Sequence, residues 1–284
     1  MGKVPLPKIS PSGKNTKEVQ TFIDEFIEGT SLNPNLNNES IGADDGIKAP
    51  KKNLSIAKFK EFLEENKGWT EWKFLVEIQI SIEKGKEKEE QSSEQSRPSR
   101  FRKTLKTNEK SEMVDAEINL IQAAVIKKDL AKVKVIMKLA QDDTEKLLNS
   151  KIECKGCGGL KLSQKTSWIL NATVIHLAAH WHVESLAHFL QIKPELCNIK
   201  AEGSLFTPLH VAASVEDGMD AINLLLQRDA NTDATDESGQ TPLHVAAQCE
   251  SINNVVALLF EGNANITALD DFNLSPLHKA KTSK

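Results

Sequence analysis

This chain of 284 residues has few cysteines and lacks long apolar runs. Each of these features excludes a class of protein. Four cysteines are too few for the disulfide framework of a small secreted protein. The chain has no run of about 18 apolar residues, so its sequence predicts no membrane-spanning helix. The N-terminus has no apolar stretch of the kind found in secretory signal peptides. We therefore expect a cytoplasmic or nuclear protein that does not contact the membrane.

Sequence motifs for catalysis are also missing. The chain has no Gly-rich phosphate-binding loop, no Gly-x-Ser-x-Gly motif and no His-Glu-x-x-His motif. Its many Asp and Glu residues occupy positions that are typical of turns and surfaces. We therefore expect no enzyme, no catalytic residue and no bound cofactor.

Charge is distributed unevenly along the chain. The net charge is −4, but residues 173–284 contain 6 Lys and Arg against 14 Asp and Glu, a net of −8, which leaves +4 for residues 1–172. An acidic surface repels nucleic acid and anionic membranes and attracts basic ligands. The C-terminal part is therefore expected to bind a basic or neutral partner and no nucleic acid.

A short motif recurs in the second half of the chain at a constant spacing of 34 residues. Two copies are identical, and two differ at a few positions. The copies are Thr173-Val-Ile-His-Leu-Ala-Ala179, Thr207-Pro-Leu-His-Val-Ala-Ala213, Thr241-Pro-Leu-His-Val-Ala-Ala247 and Ser275-Pro-Leu-His-Lys-Ala280. Four matches in one register identify an internal repeat.

Each copy of the motif is followed by a second apolar stretch, which predicts a pair of helices. Thr207 suits an N-cap and Pro208 the first helical position, where a missing N–H is tolerated. The second stretch, such as Ile222, Leu225 and Leu226, has the i, i+3, i+4 spacing of one buried helical face. The predicted pairs cover 173–192, 207–227 and 241–261.

The repeat resembles the ankyrin repeat family, whose signature is the Thr-Pro-Leu-His-x-Ala-Ala motif preceded by an Asp-x-x-Gly turn. The resemblance implies an L-shaped stack of helix pairs, with β-turn fingers and a concave surface that binds proteins. It assigns the units 173–206, 207–240 and 241–274 and a partial unit at 275–284. The period of 34 exceeds the usual 33, and the additional residue is expected in loops such as 216–218.

A degenerate unit is predicted at 113–140, and an insert at 141–170 separates it from the clear repeats. Lys132 and neighbouring lysines in the degenerate unit are expected to face solvent as a polar cap, as is Lys279 at the other end. The predicted fold is therefore all-α: one continuous ankyrin-repeat solenoid over 113–284. A largely disordered N-terminal region with short helices is expected to precede it.

The N-terminal region divides into two parts by composition. Residues 1–83 are predicted to be partly disordered, with short amphipathic helices at 18–28 and 55–66. The apolar stretch 72–82 has an alternating pattern that fits either a strand or a helix. Residues 84–112 are charged and Ser-rich, which predicts a disordered linker.

Two motifs outside the repeat pattern have both functional and structural interpretations. Cys154 and Cys157, with His180 and His182, offer the ligand types of a zinc site. A Gly-rich loop with two thiols is the alternative, and we expect no bound metal. The basic stretch 97–106 fits a nuclear-import or phosphate-binding segment, or a solvated linker. For the motif histidines, the resemblance implies hydrogen bonds to the backbone between units.

The resemblance also implies which side chains meet a partner. In an ankyrin stack the two residues after each Ala-Ala pair face the concave groove, and the finger tips lie beside them. The partner-binding residues assigned in this way are His180, Trp181, Phe206, Ser214, Val215, Glu237, Ser238, Gln240, Gln248, Cys249, Asp271 and Phe272. Trp181 and Phe206 have an alternative role, in which they pack on the insert and on the neighbouring finger.

Function follows from the resemblance at a coarse level. The leading hypothesis is a monomeric, non-enzymatic adaptor that binds one or more proteins. Acidic residues expected along the fingers, Glu202, Glu237, Asp270 and Asp271, favour a basic partner. One alternative is an IκB-like cytoplasmic inhibitor of a transcription factor. Another is an ankyrin fragment of a larger enzyme or channel, because the sequence ends inside a repeat.

Overall fold

The computed structural model describes residues 55–66, 68–82, 110–154 and 171–282. The predicted helix at 18–28, nearly all of the predicted linker and most of the predicted insert lie outside the described residues. Within the described ranges the chain is mostly helical, as the repeats predict. None of the helices described there is both long enough and apolar enough to cross a membrane.

Helices come in successive pairs from residue 120 onward. The helices of the described ranges are α1 (Ile56–Glu65), α2 (Leu120–Ile126), α3 (Leu130–Ala140), α4 (Thr144–Leu148), α5 (Val174–Trp181), α6 (Val183–Ile192), α7 (Pro208–Ser214), α8 (Met219–Leu226), α9 (Pro242–Gln248), α10 (Ile252–Phe260) and α11 (Pro276–Thr282). The three predicted pairs are confirmed as α5 with α6, α7 with α8 and α9 with α10. Short 3-10 helices cover Trp69–Glu71, Gln141–Asp143 and Pro194–Asn198.

Each repeat unit has an inner helix (α5, α7, α9 or α11), and the first three also have an outer helix that follows it. The inner helix α7 begins with a capping box, in which the Thr207 hydroxyl accepts from the backbone N–H of His210 and the His210 ring accepts from that of Thr207. The same box begins α5 and α9. Ala212 and Ala213 are fully buried, and their small side chains let adjacent inner helices approach closely. The helix starts were therefore predictable from the motif alone.

The degenerate unit is a helix pair, α2 and α3, and α2 packs against α5. Asn119 and Gln122 form a capping box at the start of α2. Lys132 does not face solvent as expected, because α3 is packed between α1 and α6. Its side chain is 1% exposed and lies 3.4 Å from the Asp129 carboxylate, an arrangement that keeps the buried charge paired.

The described residues also contain an antiparallel three-stranded sheet, whose third strand follows α4 in the chain. The strands are β1 (Lys73–Ile82), β2 (Lys110–Asn119) and β3 (Glu153–Cys154), in the order β1-β2-β3. Lys73 pairs with Asn119 and Ile82 with Lys110, which settles the open choice for the 72–82 stretch in favour of a strand. β2 covers residues 110–112, at the end of the predicted linker, and residue 113, where the solenoid is predicted to begin. Charged residues interrupt the alternation of β2, and its pairing with β1 is non-local.

The buried side chains of the described residues form one connected core. It runs from Phe59 in α1, through Ile121 and Ile136 in the degenerate unit, to Leu258 in α10. The N-terminal helix and the degenerate unit are therefore packed onto the repeats and extend the same array.

Candidate protein-binding surface

Buried histidines connect each unit to the next. In His176, His210 and His244 the ring Nδ1 accepts the backbone N–H of the threonine that begins the same unit, at 3.1–3.2 Å. Nε2 therefore carries the ring proton and donates it to the carbonyl that precedes the next unit, at 2.9–3.0 Å. The acceptor carbonyls belong to Phe206, Gln240 and Leu274. The structural interpretation of the motif histidines is thus confirmed.

Burial keeps these rings neutral. Loss of hydration lowers the pKa of His176 and of His210 from 6.5 to about 4, while their backbone hydrogen bonds oppose this shift. Burial also lowers the pKa of His244, which lies nearer the end of the stack. A neutral ring with one donor and one acceptor matches the two backbone groups that each histidine joins.

The loops that enter each unit are fingers closed by an aspartate. Asp236 Oδ1 accepts the backbone N–H groups of Ser238 and Gln240, both at 2.8 Å. In the next finger, Asp270 Oδ1 accepts the backbone N–H groups of Phe272 and Leu274, at 3.0 and 2.8 Å. These turns hold the finger backbones in one conformation before any partner arrives.

Adjacent fingers are hydrogen-bonded to each other. The Glu237 N–H donates to the Ser204 carbonyl at 3.0 Å, and the Asp271 N–H donates to the Ser238 carbonyl at 3.1 Å. Gly239 has φ +72, and a Cβ placed there would lie 2.5 Å from the Asp271 carboxylate. Glycine is therefore required where the two fingers meet. The fingers form a continuous edge on which side chains are presented at fixed spacing.

The assigned partner-binding residues fall into three groups by exposure. Three are exposed: Glu237, Asp271 and Phe272. Six are half-buried: His180, Trp181, Val215, Ser238, Gln248 and Cys249. Phe206, Ser214 and Gln240 are buried, at 1%, 6% and 7% exposure, and their side chains do not reach the surface in this conformation.

The three buried residues have internal roles. The centroid of the Phe206 ring lies 5.2 Å from that of the His210 ring, so Phe206 packs on the inner helix that follows it, whereas the predicted alternative was packing on the neighbouring finger. The Ser214 hydroxyl donates to the Val211 carbonyl at 2.7 Å inside α7. The Gln240 N–H donates to Asp236 Oδ1 within its own finger, and the Gln240 carbonyl accepts from His210 Nε2. These three side chains are buried in this conformation, so the proposal below rests on the exposed and half-buried residues of the assignment.

His180 and Trp181 form a polar and aromatic pair at the end of the first inner helix. Their rings meet edge to face, with centroids 4.4 Å apart and an interplanar angle of 89°. Burial, with Lys128 nearby, lowers the pKa of His180 to about 4. Its Nδ1 is buried without a hydrogen-bond partner among the described residues. The indole of Trp181 is half-buried, so part of this pair is accessible at the end of α5.

Phe272 is an exposed aromatic residue of the assignment, with 69% of its surface accessible. The Lys279 ammonium lies 5.8 Å from the centroid of its ring. Lys279 also bridges to Asp270 at 2.8 Å, so its side chain is largely buried rather than facing water as expected. Asp270 is buried by this contact and does not belong to the exposed acidic edge. Sequence reasoning missed this pair, although Lys279 stands in register with the buried Val211 and Val245.

No group of three or more His, Cys, Asp and Glu side chains suited to a metal ion occurs within the described ranges. Cys154 ends β3, whereas Cys157 lies outside the part of the chain that the structure describes. The expectation that this motif binds no metal stays a prediction.

The family described as "Ankyrin repeats (3 copies)" matches residues 175–270, which run from α5 to the last finger. No curated protein matches the chain. The sheet and the helices α1 to α4 lie outside the matched range.

Proposed function

Residues 175–270 are ankyrin repeats, and from this premise we propose that the chain is a non-enzymatic adaptor that binds a protein partner through its fingers and inner-helix ends. Ankyrin repeats are generally protein–protein interaction modules and are typically not catalytic. The fold alone does not name a ligand, so the proposal depends on the surface that the repeats present.

One observation carries this proposal: an exposed phenylalanine on a rigid acidic edge. Phe272 projects from a finger that is fixed by Asp270 and joined to its neighbour by the Asp271–Ser238 hydrogen bond. A large exposed aromatic side chain on a preorganised backbone is typical of binding hot spots. The resemblance assigns the half-buried Trp181, at the end of α5, to the same surface.

The partner favoured by this surface is basic. Glu237 and Asp271 are exposed on neighbouring fingers, and Glu202 on the finger before them pairs with Lys151. Opposite charge on a ligand would speed association and make it sensitive to salt. This charge also supports the second candidate, an IκB-like inhibitor that masks a basic segment of a transcription factor.

The test compares proteins captured by the full chain with those captured by variants. Phe272→Ala and Trp181→Ala are expected to lose the same partner, since truncating a hot-spot aromatic residue weakens binding by about 2 kcal/mol or more. Both variants should keep the wild-type melting temperature, because Phe272 is exposed and Trp181 is only partly packed. Quantitative mass spectrometry of the captured proteins is the measurement.

Ile266→Ala is the matched control, because Ile266 is also exposed, at 62%, but is not one of the assigned residues. It should capture the partner as the wild type does. Equal capture by all three variants would show that the fingers and inner-helix ends are not the binding surface.

A further inference from the structure

An arginine joins the first two units on their outer side. Arg228 lies in the loop after α8, and its guanidinium donates to the Leu190 carbonyl in α6 at 3.3 Å. The side chain is half-buried and reaches from the second unit to the first. A basic side chain is therefore part of the contact between these two outer helices.

The next unit has a glycine at the same position of the repeat. Gly262 follows Arg228 by 34 residues, the period of the motif. Each of them precedes a residue with positive φ, Asp229 at 58° and Asn263 at 48°, so the two loops share one register. A Cβ at Gly262 would lie 2.8 Å from the Leu258 carbonyl oxygen, so the backbone leaves no room there for a side chain. The arginine contact is therefore not repeated between α8 and α10.

A cavity lies between α8 and α10 beside this glycine. Its volume is about 330 Å³, and its lining consists of Asn223, Leu226, Gln227 and Glu261. Leu226 also borders the glycine, because a Cβ at Gly262 would lie 3.1 Å from its side chain. The cavity therefore opens where the repeat of the Arg228 contact would place a basic side chain.

The lining of the cavity is suited to a cation that donates hydrogen bonds. Asn223 Oδ1 is buried and has no hydrogen-bond partner among the described residues. Glu261 is the charged residue of the lining, and its side chain is exposed. Arg228 is the neighbour of Gln227 in sequence, but its guanidinium is directed to the Leu190 carbonyl in the preceding unit. The cavity thus has a carboxylate and an unused amide oxygen, and no basic residue lines it.

We propose that this cavity is a second binding site, which takes an arginine side chain of a partner protein in the position that corresponds to Arg228. The guanidinium would donate to Asn223 Oδ1 and pair with Glu261, and its methylene groups would lie against Leu226. A planar guanidinium can donate to two acceptors at once, whereas the ammonium of lysine is a compact point charge, so arginine fits better than lysine. The site lies between outer helices and is distinct from the finger surface proposed above.

The experiment titrates the isotope-labelled full chain with a short peptide in which one arginine stands between glycines. Nuclear magnetic resonance locates the site and gives the affinity. The backbone amides of Gln227, Glu261 and Gly262 and the side-chain amide of Asn223 should change their chemical shifts together as the peptide is added.

Two variants test the two acceptors. Glu261→Gln keeps the size of an exposed side chain and removes its charge, so the fold should be retained. Asn223→Leu removes the amide oxygen from the cavity. Each variant should bind the peptide about tenfold more weakly, since each loses one hydrogen bond to a charged group.

Matched controls separate this site from others. Glu195→Gln alters an exposed carboxylate that follows α6, and it should bind the peptide as the wild type does. A peptide with citrulline in place of arginine keeps the shape of the side chain without its charge, and it should bind about tenfold more weakly. Glu237→Gln, on a finger, should leave binding unchanged, so this site can fail or succeed independently of the finger surface.

Four results would overturn the proposal. The first is the absence of shift changes at the ends of α8 and α10 at the highest peptide concentration. The second is equal binding by the wild type and Glu261→Gln, and the third is equal binding of the citrulline peptide or of a lysine peptide. The fourth is a set of shift changes confined to the fingers and lost in Glu237→Gln, which would place the arginine on the finger surface.

Discussion

At the scale of single residues, buried polar side chains fix the distance between neighbouring units. Each motif histidine joins a threonine N–H of its own unit to a carbonyl at the entrance to the next. On the outer side, the Asn254 amide donates to the Ala213 and Val215 carbonyls, at 3.2 and 2.5 Å, at the end of α7. Both kinds of contact satisfy buried or partly buried backbone groups, and so they specify the stacking geometry.

The neutral histidines predict that the protein loses stability in mild acid. The rings of His176 and His210 bind a proton near pH 4 in the folded chain and near pH 6.5 when exposed. Below pH 6.5 the unfolded chain therefore binds more protons, and the free energy of unfolding decreases as the pH falls. We expect a loss of about 2 kcal/mol per ring between pH 6.5 and about pH 5, measured by urea denaturation.

The variant His210→Gln provides the control, because glutamine has an amide donor and does not titrate. In this variant about one proton fewer should be taken up on unfolding, so the free energy of unfolding should depend less steeply on pH. A free energy of unfolding that stays constant from about pH 7 to about pH 5 would contradict the assignment of neutral, buried rings.

Gly218 predicts a second effect at this scale. It lies in the loop that accounts for the longer repeat, and a Cβ built on it would be 1.9 Å from the Ala212 carbonyl oxygen and 3.1 Å from the Asn254 amide. Gly218→Ala should therefore lower the free energy of unfolding by about 2–3 kcal/mol, because backbone must move to remove the clash. Asp217→Ala, at the exposed neighbouring position, should change it little, and equal midpoints in urea would refute the steric argument.

At the scale of elements, local sequence patterns predicted the helices of the repeats. They did not predict the strand β2, which pairs with a segment distant in the chain. The Thr-Pro-Leu-His motif contains the N-cap, the proline and the buried face of an inner helix within seven residues, so α7 and α9 could be located from sequence. β2 alternates poorly, with Glu112, Asp115 and Glu117 along it, and its partner β1 is distant in the chain. Such a strand forms because β1 is available, which a local pattern does not reveal.

The buried leucine of the motif gives a prediction about the inner helices. Leu243 in α9 is 2% exposed and belongs to the connected core. Leu243→Asp would place a carboxylate in this apolar contact and should cost about 4 kcal/mol or more of stability. Leu269→Asp, at a position 58% exposed, is the control and should remain close to the wild type. A circular dichroism melt that does not distinguish the two variants would refute the core assignment.

At the scale of the whole molecule, the candidate site was only partly predictable. The positional rule for inner-helix ends and fingers selected exposed Phe272 and half-buried Trp181, and it also selected the buried Phe206. The positional rule says which residues lie at inner-helix ends and finger tips. It does not say whether the side chain of a finger residue points outward or packs on the helix that follows it. At Leu205 the backbone has φ +56, and the turn hydrogen bond from Ala201 to the Phe206 carbonyl directs the Phe206 ring inward.

The acidic charge of the repeats predicts that the chain is a monomer in solution. Two copies that met through their repeats would bring the residues between Arg228 and Lys279, with eight acidic and no basic side chains, close to one another. Sedimentation at micromolar concentration should give the mass of one chain, 31.4 kDa. A concentration-dependent shift to twice that mass at physiological salt would contradict this expectation.

The histidine contacts also decide where the stack opens first. His176, His210 and His244 each reach a carbonyl of the following unit, whereas the exposed His278 bonds within its own unit to Ser275. Because each unit is held only by its neighbours, opening from this end breaks one interface at a time. Amide exchange should therefore be fastest in α11, slower in α9 and slower again in α7. This order would show that the repeats open one after another, beginning with the helix whose histidine makes no contact to another unit.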